Sequence, residues 1–223
     1  MIFQNRVDAG RRLAERLMHL KGQDPVVLAL PRGGVPVAAV IAEALGAALD
    51  LLIVRKIGAP GFSELAVGAV IDGAKPMTVL NEGIIRELGV SSAYLEQTTS
   101  RELAEIGRRR SMYLRGRLPV ALDGRAVLVV DDGIATGATM RVALRALAAG
   151  GVARRVALAV PVAPPKVAEA LLRLCDEAVF LITPSQFRAV GQHYVDFTQT
   201  EDAEVISLLD QAAARISGAA RHP

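Results

Sequence analysis

Apolar residues fall along this chain in two patterns. Five short, nearly unbroken runs, at 25–30, 49–54, 127–130, 155–160 and 178–182, are rich in Val, Leu, Ile and Ala. Runs of that length without polar alternation predict strands covered on both faces, as in a parallel sheet. The stretches between them carry helical spacing. Within 1–21, Val7, Leu13, Leu17 and Leu20 form one stripe among charged residues, with Phe3 placed to tuck in ahead. Helices are expected over 37–45, over 140–148 with a stop at Gly150-Gly151, and over 166–174 after the proline-rich break at 161–165. Residues 65–71 and 78–80 predict a β-hairpin. Asn81 is set to cap a helical turn ending near Gly89. Ser91 or Ser92 would cap a longer helix from Tyr94 toward Arg115, and an amphipathic helix covers 204–209. Strands and helices alternating at this length predict an α/β fold: a single domain over 1–223 with a doubly wound, mostly parallel sheet.

The crevice of such a sheet lies at the carboxyl ends of its strands, so the residues after each run matter most. Run 127–130 opens the stretch V-L-V-V-D-D-G-I-A-T-G-A-T-M. Two carboxylates, Asp131 and Asp132, precede a loop of small residues that leads into a helix. A helix N-terminus favours an anion. Ala135, Gly137 and Ala138 let the backbone close on a phosphate, while Thr136 and Thr139 add hydroxyl donors. Facing that phosphate, the two acids would repel it. They are better placed to accept from vicinal hydroxyls, or to hold a metal directly or through water. A phosphate site beside a diol site describes a sugar phosphate.

Run 25–30 leads into P-R-G-G-V-P and a helix, a second layout for an anion. Gly33 and Gly34 free the backbone N–H groups to point at one ligand, and Arg32 adds a planar charged fork. Run 49–54 ends at Arg55-Lys56, the charge complement of a pyrophosphate. The following I-G-A-P-G-F-S-E, residues 57–64, has the composition of a mobile loop, with Glu64 as its only acid. One sheet would thus gather Arg32, Arg55, Lys56, Asp131 and Asp132. Plainer readings stay open: Arg55-Lys56 as a solvated strand end, Glu64 as a surface carboxylate, and Arg108, Arg109 and Arg110 as a solvated helix face.

Composition narrows the classes. The 223 residues are 52% apolar, with a formal charge of 26 − 23 = +3 spread along the chain. Aromatics make up 4% and Trp is absent, which argues against a stacking platform for single-stranded nucleic acid. The longest apolar stretch, 36–54, is broken by Glu43 and Asp50, so no membrane span is expected. The lone Cys175 lies among leucines and reads as a buried structural thiol. A cytoplasmic protein is the expectation.

Stretch 127–140, with its apolar strand, acid pair and T-G-x-T loop, resembles the signature of type I phosphoribosyltransferases. The likeness extends over roughly 25–185. The chain ends, F-Q-N-R-V-D-A-G-R-R-L-A and F-R-A-V-G-Q-H-Y-V-D-F, are similar to those of a bacterial group within that family. The resemblance implies Mg2+ and phosphoribosyl pyrophosphate (PRPP), with a nucleobase-like or other small nitrogen acceptor and release of pyrophosphate. It places the ribose hydroxyls on Asp131 and Asp132, the 5-phosphate on residues 135–139, and the pyrophosphate on Arg32, Gly33, Gly34, Arg55 and Lys56. It makes 57–64 a closing loop and the chain ends (about 1–24 and 186–216) a small hood; Glu64, as that loop's only acid, is the candidate to bind or deprotonate the acceptor, beside Asp131 and Asp132 as catalytic acids. A homodimer would fit the family. Two departures fall on the acceptor side. Ala135 stands where many 6-oxopurine enzymes carry Asp, and Gly133 replaces a large apolar residue that packs on the base. The other class open to this sequence is a regulatory protein that binds PRPP or a nucleotide with little or no turnover.

Overall fold

The structure is a computed structural model that describes residues 2–72, 76–151 and 153–219, without the side chains of Ser63, Glu64 and Ala219. The apolar runs become the parallel strands β1 (Val26–Ala29), β2 (Ala48–Leu51), β6 (Ala126–Val130), β7 (Arg155–Val162) and β8 (Glu177–Ile182). They form one five-stranded sheet in the order β2-β1-β6-β7-β8. Every residue of β1 and β6 is buried, as runs without alternation require. Alternate residues serve opposite layers. Val27, Ala29, Leu128 and Val130 share a cluster with α1 (Arg6–Leu17), α2 (Gly34–Leu45) and α7 (Asp202–Ala219). Val26, Leu28, Val127 and Val129 pack with α5 (Ala138–Gly150) and α6 (Pro165–Leu172). Helices therefore cover both faces, and the sheet is doubly wound.

One predicted strand divides. The run 49–54 supplies β2 up to Leu51 and then starts β3 (Val54–Ala59), which belongs to a second sheet with β4 (Phe62–Ile71) and β5 (Met77–Leu80). An apolar run records burial but not which sheet does the burying. The break is made by hydrogen bonds: Leu52 N–H donates to the Ala29 carbonyl, while Ile53 N–H donates to Asp72 Oδ1 at 2.7 Å, across to the other sheet. The stretch 57–64 is consequently no irregular loop. Ala59 pairs with Phe62 across a two-residue turn at the tip of the β3–β4 hairpin. The Pro-Gly pair marked a tight turn.

Two more helices, α3 (Glu82–Leu88) and α4 (Ser92–Leu114), follow the small sheet, capped by Asn81 and Ser91. The arginine run on α4 splits its duties. Arg110 turns inward, pairing with Asp50 at 2.9 Å and with Asp72. Burial raises Asp72 to about 6, against the pull of Arg110. Cys175 is half-buried, with Sγ donating to the Leu171 carbonyl at 3.4 Å.

The chain ends meet. Phe3 bridges to Tyr194 in parallel register, its N–H donating to the His193 carbonyl at 2.8 Å and its carbonyl accepting from Val195 at 2.8 Å. The Phe3 and Tyr194 rings lie 5.3 Å apart with their planes tilted by 47°, and Phe197 lies beyond. Helices α1 and α7 belong to the core layer, and the segments near Phe3 and 187–200 pack together beside the end of β8.

Candidate functional site

The acid pair stands where β6 stops. Asp131 Oδ1 accepts from the Asp132 N–H at 2.9 Å, folding the first carboxylate over its own turn. Asp132 Oδ2 accepts from Arg6 Nε at 2.8 Å, the two side chains 13% and 12% exposed. Burial lifts Asp131 well above the ordinary carboxylate range, and the Asp132 charge adds to the rise. Burial also raises Asp132, with the Arg6 guanidinium opposing it. Two carboxylates in one dry turn resist ionising together, so the pair is receptive to hydroxyl donors or a cation.

The glycine loop between β1 and α2 lies directly on these acids. A methyl group at Gly33 would run into the Asp132 carboxylate, and one at Gly34 would stand 2.8 Å from the Val130 carbonyl and 3.1 Å from Asp131 Cα. Only a residue without Cβ allows this approach. The Pro31–Arg32 peptide bond is cis. Arg32 reaches toward Asp202 at 3.7 Å and, with Arg108 and Arg109, lines a polar cavity of about 240 Å³. Tyr113 donates to Asp202 at 2.6 Å on the same wall; burial and that bond push Tyr113 up to about 12.

Beyond the acids the loop 133–137 opens α5. Gly137 takes φ +71°, a left-handed conformation suited to glycine, and no side chain caps the helix. Ala135, Thr136, Ala138 and Thr139 are exposed. Thr136 Oγ1 accepts from Ala138 N–H at a long 3.4 Å. Arg141 Nη2 donates to the Thr136 carbonyl at 2.7 Å, a cation beside the loop that the sequence reading passed over.

The structure thus brings together Gly33, Gly34, Asp131 and Asp132, with Arg32 and residues 135–139 on the same strand-end face. It does not gather Arg55 as expected. Arg55 lies inside β3 and pairs with Glu102 of α4 at 2.8 Å, because the strand carrying it left the parallel sheet. Lys56 is the next residue of β3 and is exposed. Glu64 falls in β4, and its side chain lies outside the described residues. Three neighbours of the acids come from the chain ends. Arg6 holds Asp132, Tyr194 donates to the Asp132 carbonyl at 2.6 Å, and Val190 stands where a side chain at Gly133 would be. Their partners are far away in sequence, with 126 positions between Arg6 and Asp132, so no local spacing marks them. Burial lowers the pKa of His193, which stacks on Phe187 at 5.6 Å as a packing residue.

The fold is a doubly wound α/β protein with an acid pair and two glycine-containing loops at its strand ends. A family model described as the phosphoribosyl transferase domain matches residues 1–197, and the chain belongs to that family. It is 46% identical over 211 residues to a Mycobacterium tuberculosis protein that is a phosphoribosyl transferase by name, Rv0571c; the match takes in 95% of this chain and 47% of that protein. The chain therefore spans about half the length of the curated relatives it matches. The crystal structure of TT1426 from Thermus thermophilus superposes with a TM-score of 0.83 at 43% identity, covering 95% of this chain and 99% of that one. No helix among the described residues is long and apolar enough to cross a membrane.

Proposed function

We propose that this chain binds PRPP and transfers its ribose 5-phosphate to a small nitrogen acceptor. The observation that carries the reading is the seating of Gly33 and Gly34 against Asp131 and Asp132, beside the uncapped start of α5. Pyrophosphate, ribose diol and 5-phosphate are adjacent groups of one molecule, and these three features are adjacent here. In the reaction the C1–oxygen bond to pyrophosphate breaks, and pyrophosphate leaves with the electron pair. The acceptor nitrogen forms the new C1 bond and gives up its proton. The glycine-loop amides and Arg32 receive the leaving charge, the acids orient the ribose hydroxyls, and residues 135–139 hold the 5-phosphate.

Mg2+ fits this site in a limited sense. Among the described residues no group of three or more His, Cys, Asp or Glu side chains could hold a metal alone. Two carboxylates with substrate oxygens completing the shell is the usual arrangement for this ion. Bound there, it would neutralise phosphate charge, with Asp131 and Asp132 as its protein partners.

The test is calorimetry on a protein carrying both Asp131→Asn and Asp132→Asn. PRPP binding should vanish, each lost charge-assisted bond costing roughly 1.5–3 kcal/mol. Unchanged affinity would remove the acids from ribose recognition. A second reading, a PRPP-binding regulator without turnover, draws on two observations: Arg55 is tied to Glu102, and the stretch before Glu64 is a paired hairpin. A screen of nucleobases with Mg2+ and PRPP separates the two. Pyrophosphate release with any acceptor favours the enzyme, and tight binding with no release favours the regulator.

A further inference from the structure

Arg6 is the first residue of α1, set there by Asn5, whose side chain caps the helix by accepting from Asp8 N–H at 3.0 Å. The guanidinium is held on three sides. Nε donates to Asp132 Oδ2 at 2.8 Å, Nη1 donates to the Thr198 carbonyl at 2.7 Å, and the guanidinium carbon lies 4.0 Å from the Phe197 ring centroid. At 12% exposure with these contacts made, this is a fixed cation, not a surface arginine resting on an acid. Tyr194, from the other chain end, holds the carbonyl of the same aspartate. The two chain ends therefore converge on one residue of the acid pair. Arg6 occupies one oxygen of that carboxylate, and a carboxylate offers about four acceptor positions, so room for hydroxyl donors remains.

We propose that Arg6 is a positioning residue of the donor site, fixing the Asp132 carboxylate in the orientation that recognises ribose hydroxyls. The inference rests on the donor reading above. It assigns the hood a task besides covering the site: the contacts at Phe197 and Thr198 aim Arg6, and Arg6 aims Asp132. The loop amides at Gly33 and Gly34 do not depend on that aim for their own hydrogen-bonding capacity. Loss of Arg6 should thus be felt by ligands with a ribose and hardly by pyrophosphate alone.

The experiment titrates PRPP, ribose 5-phosphate and inorganic pyrophosphate, each without added metal so that Asp132 meets hydroxyls and not a shared Mg2+, into the wild-type chain and into Arg6→Gln. Expected is a loss of about tenfold or more for the two ribose ligands, the scale of one charge-assisted bond. Pyrophosphate should shift by less than about twofold. Arg6→Lys, which keeps the charge and loses the fork, should recover part of the ribose affinity. Equal losses for all three ligands, or none, would overturn the inference. If Arg6→Gln fails to fold in a thermal melt, Arg6→Lys carries the test: a smaller loss confined to ribose ligands supports the inference, and an even loss or no loss overturns it. A wild-type chain that binds neither ribose ligand removes the donor reading and this inference together. A wild type that binds both, with an unselective effect at Arg6, removes the inference alone.

Discussion

Two places in this molecule hold two aspartates and an arginine. Beneath α4, Asp50 accepts from Leu51 and Val120 N–H groups, each at 2.8 Å, and Asp72 accepts from Ile53 at 2.7 Å; Arg110 bridges both acids. At the strand ends, Arg6 meets one oxygen of Asp132, and among the described residues Asp131 is bonded to its own turn. The first cluster spends nearly all its acceptor capacity on the fold. The second keeps capacity in reserve. Hydrogen-bond satisfaction, more than residue type, separates the structural ion network from the candidate site.

The comparison breaks most sharply at Arg110. Arg110→Met leaves two buried aspartates facing each other and should destabilise the chain by about 3–5 kcal/mol, read from urea melts. The same network predicts a pH dependence. Asp72 takes up a proton near 6 in the folded protein and near 3.8 when unfolded. Across that window the native state binds the extra proton, so this group's contribution to stability falls as pH climbs and is lost above about 6. Asp72→Asn should flatten that slope in melts taken at several pH values.

Asp131 sharpens the contrast from the other side. Its raised pKa means that its charge costs the folded state stability at neutral pH. Asp131→Asn should therefore melt higher than the wild type near pH 7 while binding PRPP more weakly. The gain should shrink toward acid, where the wild-type carboxyl is protonated both folded and unfolded. A lower melting temperature at pH 7 would place Asp131 with the structural acids. The smallest effect is expected at Tyr194→Phe, which deletes one hydrogen bond to the Asp132 carbonyl and should cost about 1 kcal/mol in a urea melt.

Much of the site was legible because it is local. The stretch 127–140 and the P-R-G-G turn carry strand, loop and helix start within a few residues, and the structure sets them side by side. Legibility failed where the deciding partner is remote. Arg55 looked like a strand-end cation until Asp72 drew Ile53 into the second sheet. Arg110 looked solvated, yet its partners lie 60 and 38 positions away. Arg6 stood only within a chain-end stretch similar to the family, with nothing to link it to the acids. Gly133 was read as offering no apolar shelf, and the space beside it is taken by Val190 from the far end of the chain.

The bridge between Phe3 and Tyr194 carries a consequence for the order of folding. It joins segments almost the whole chain apart, and contacts of such separation form late because a long loop must close first. The parallel sheet can therefore be in place while the acid pair still lacks Arg6 and Tyr194. During synthesis the ribosome would hold a chain with its sheet formed and its acid pair without these two partners until residues near 194 emerge. In the mature protein the same segment should be among the first to open, releasing the Phe3 and Val195 amides to hydrogen exchange before those of β1 and β6.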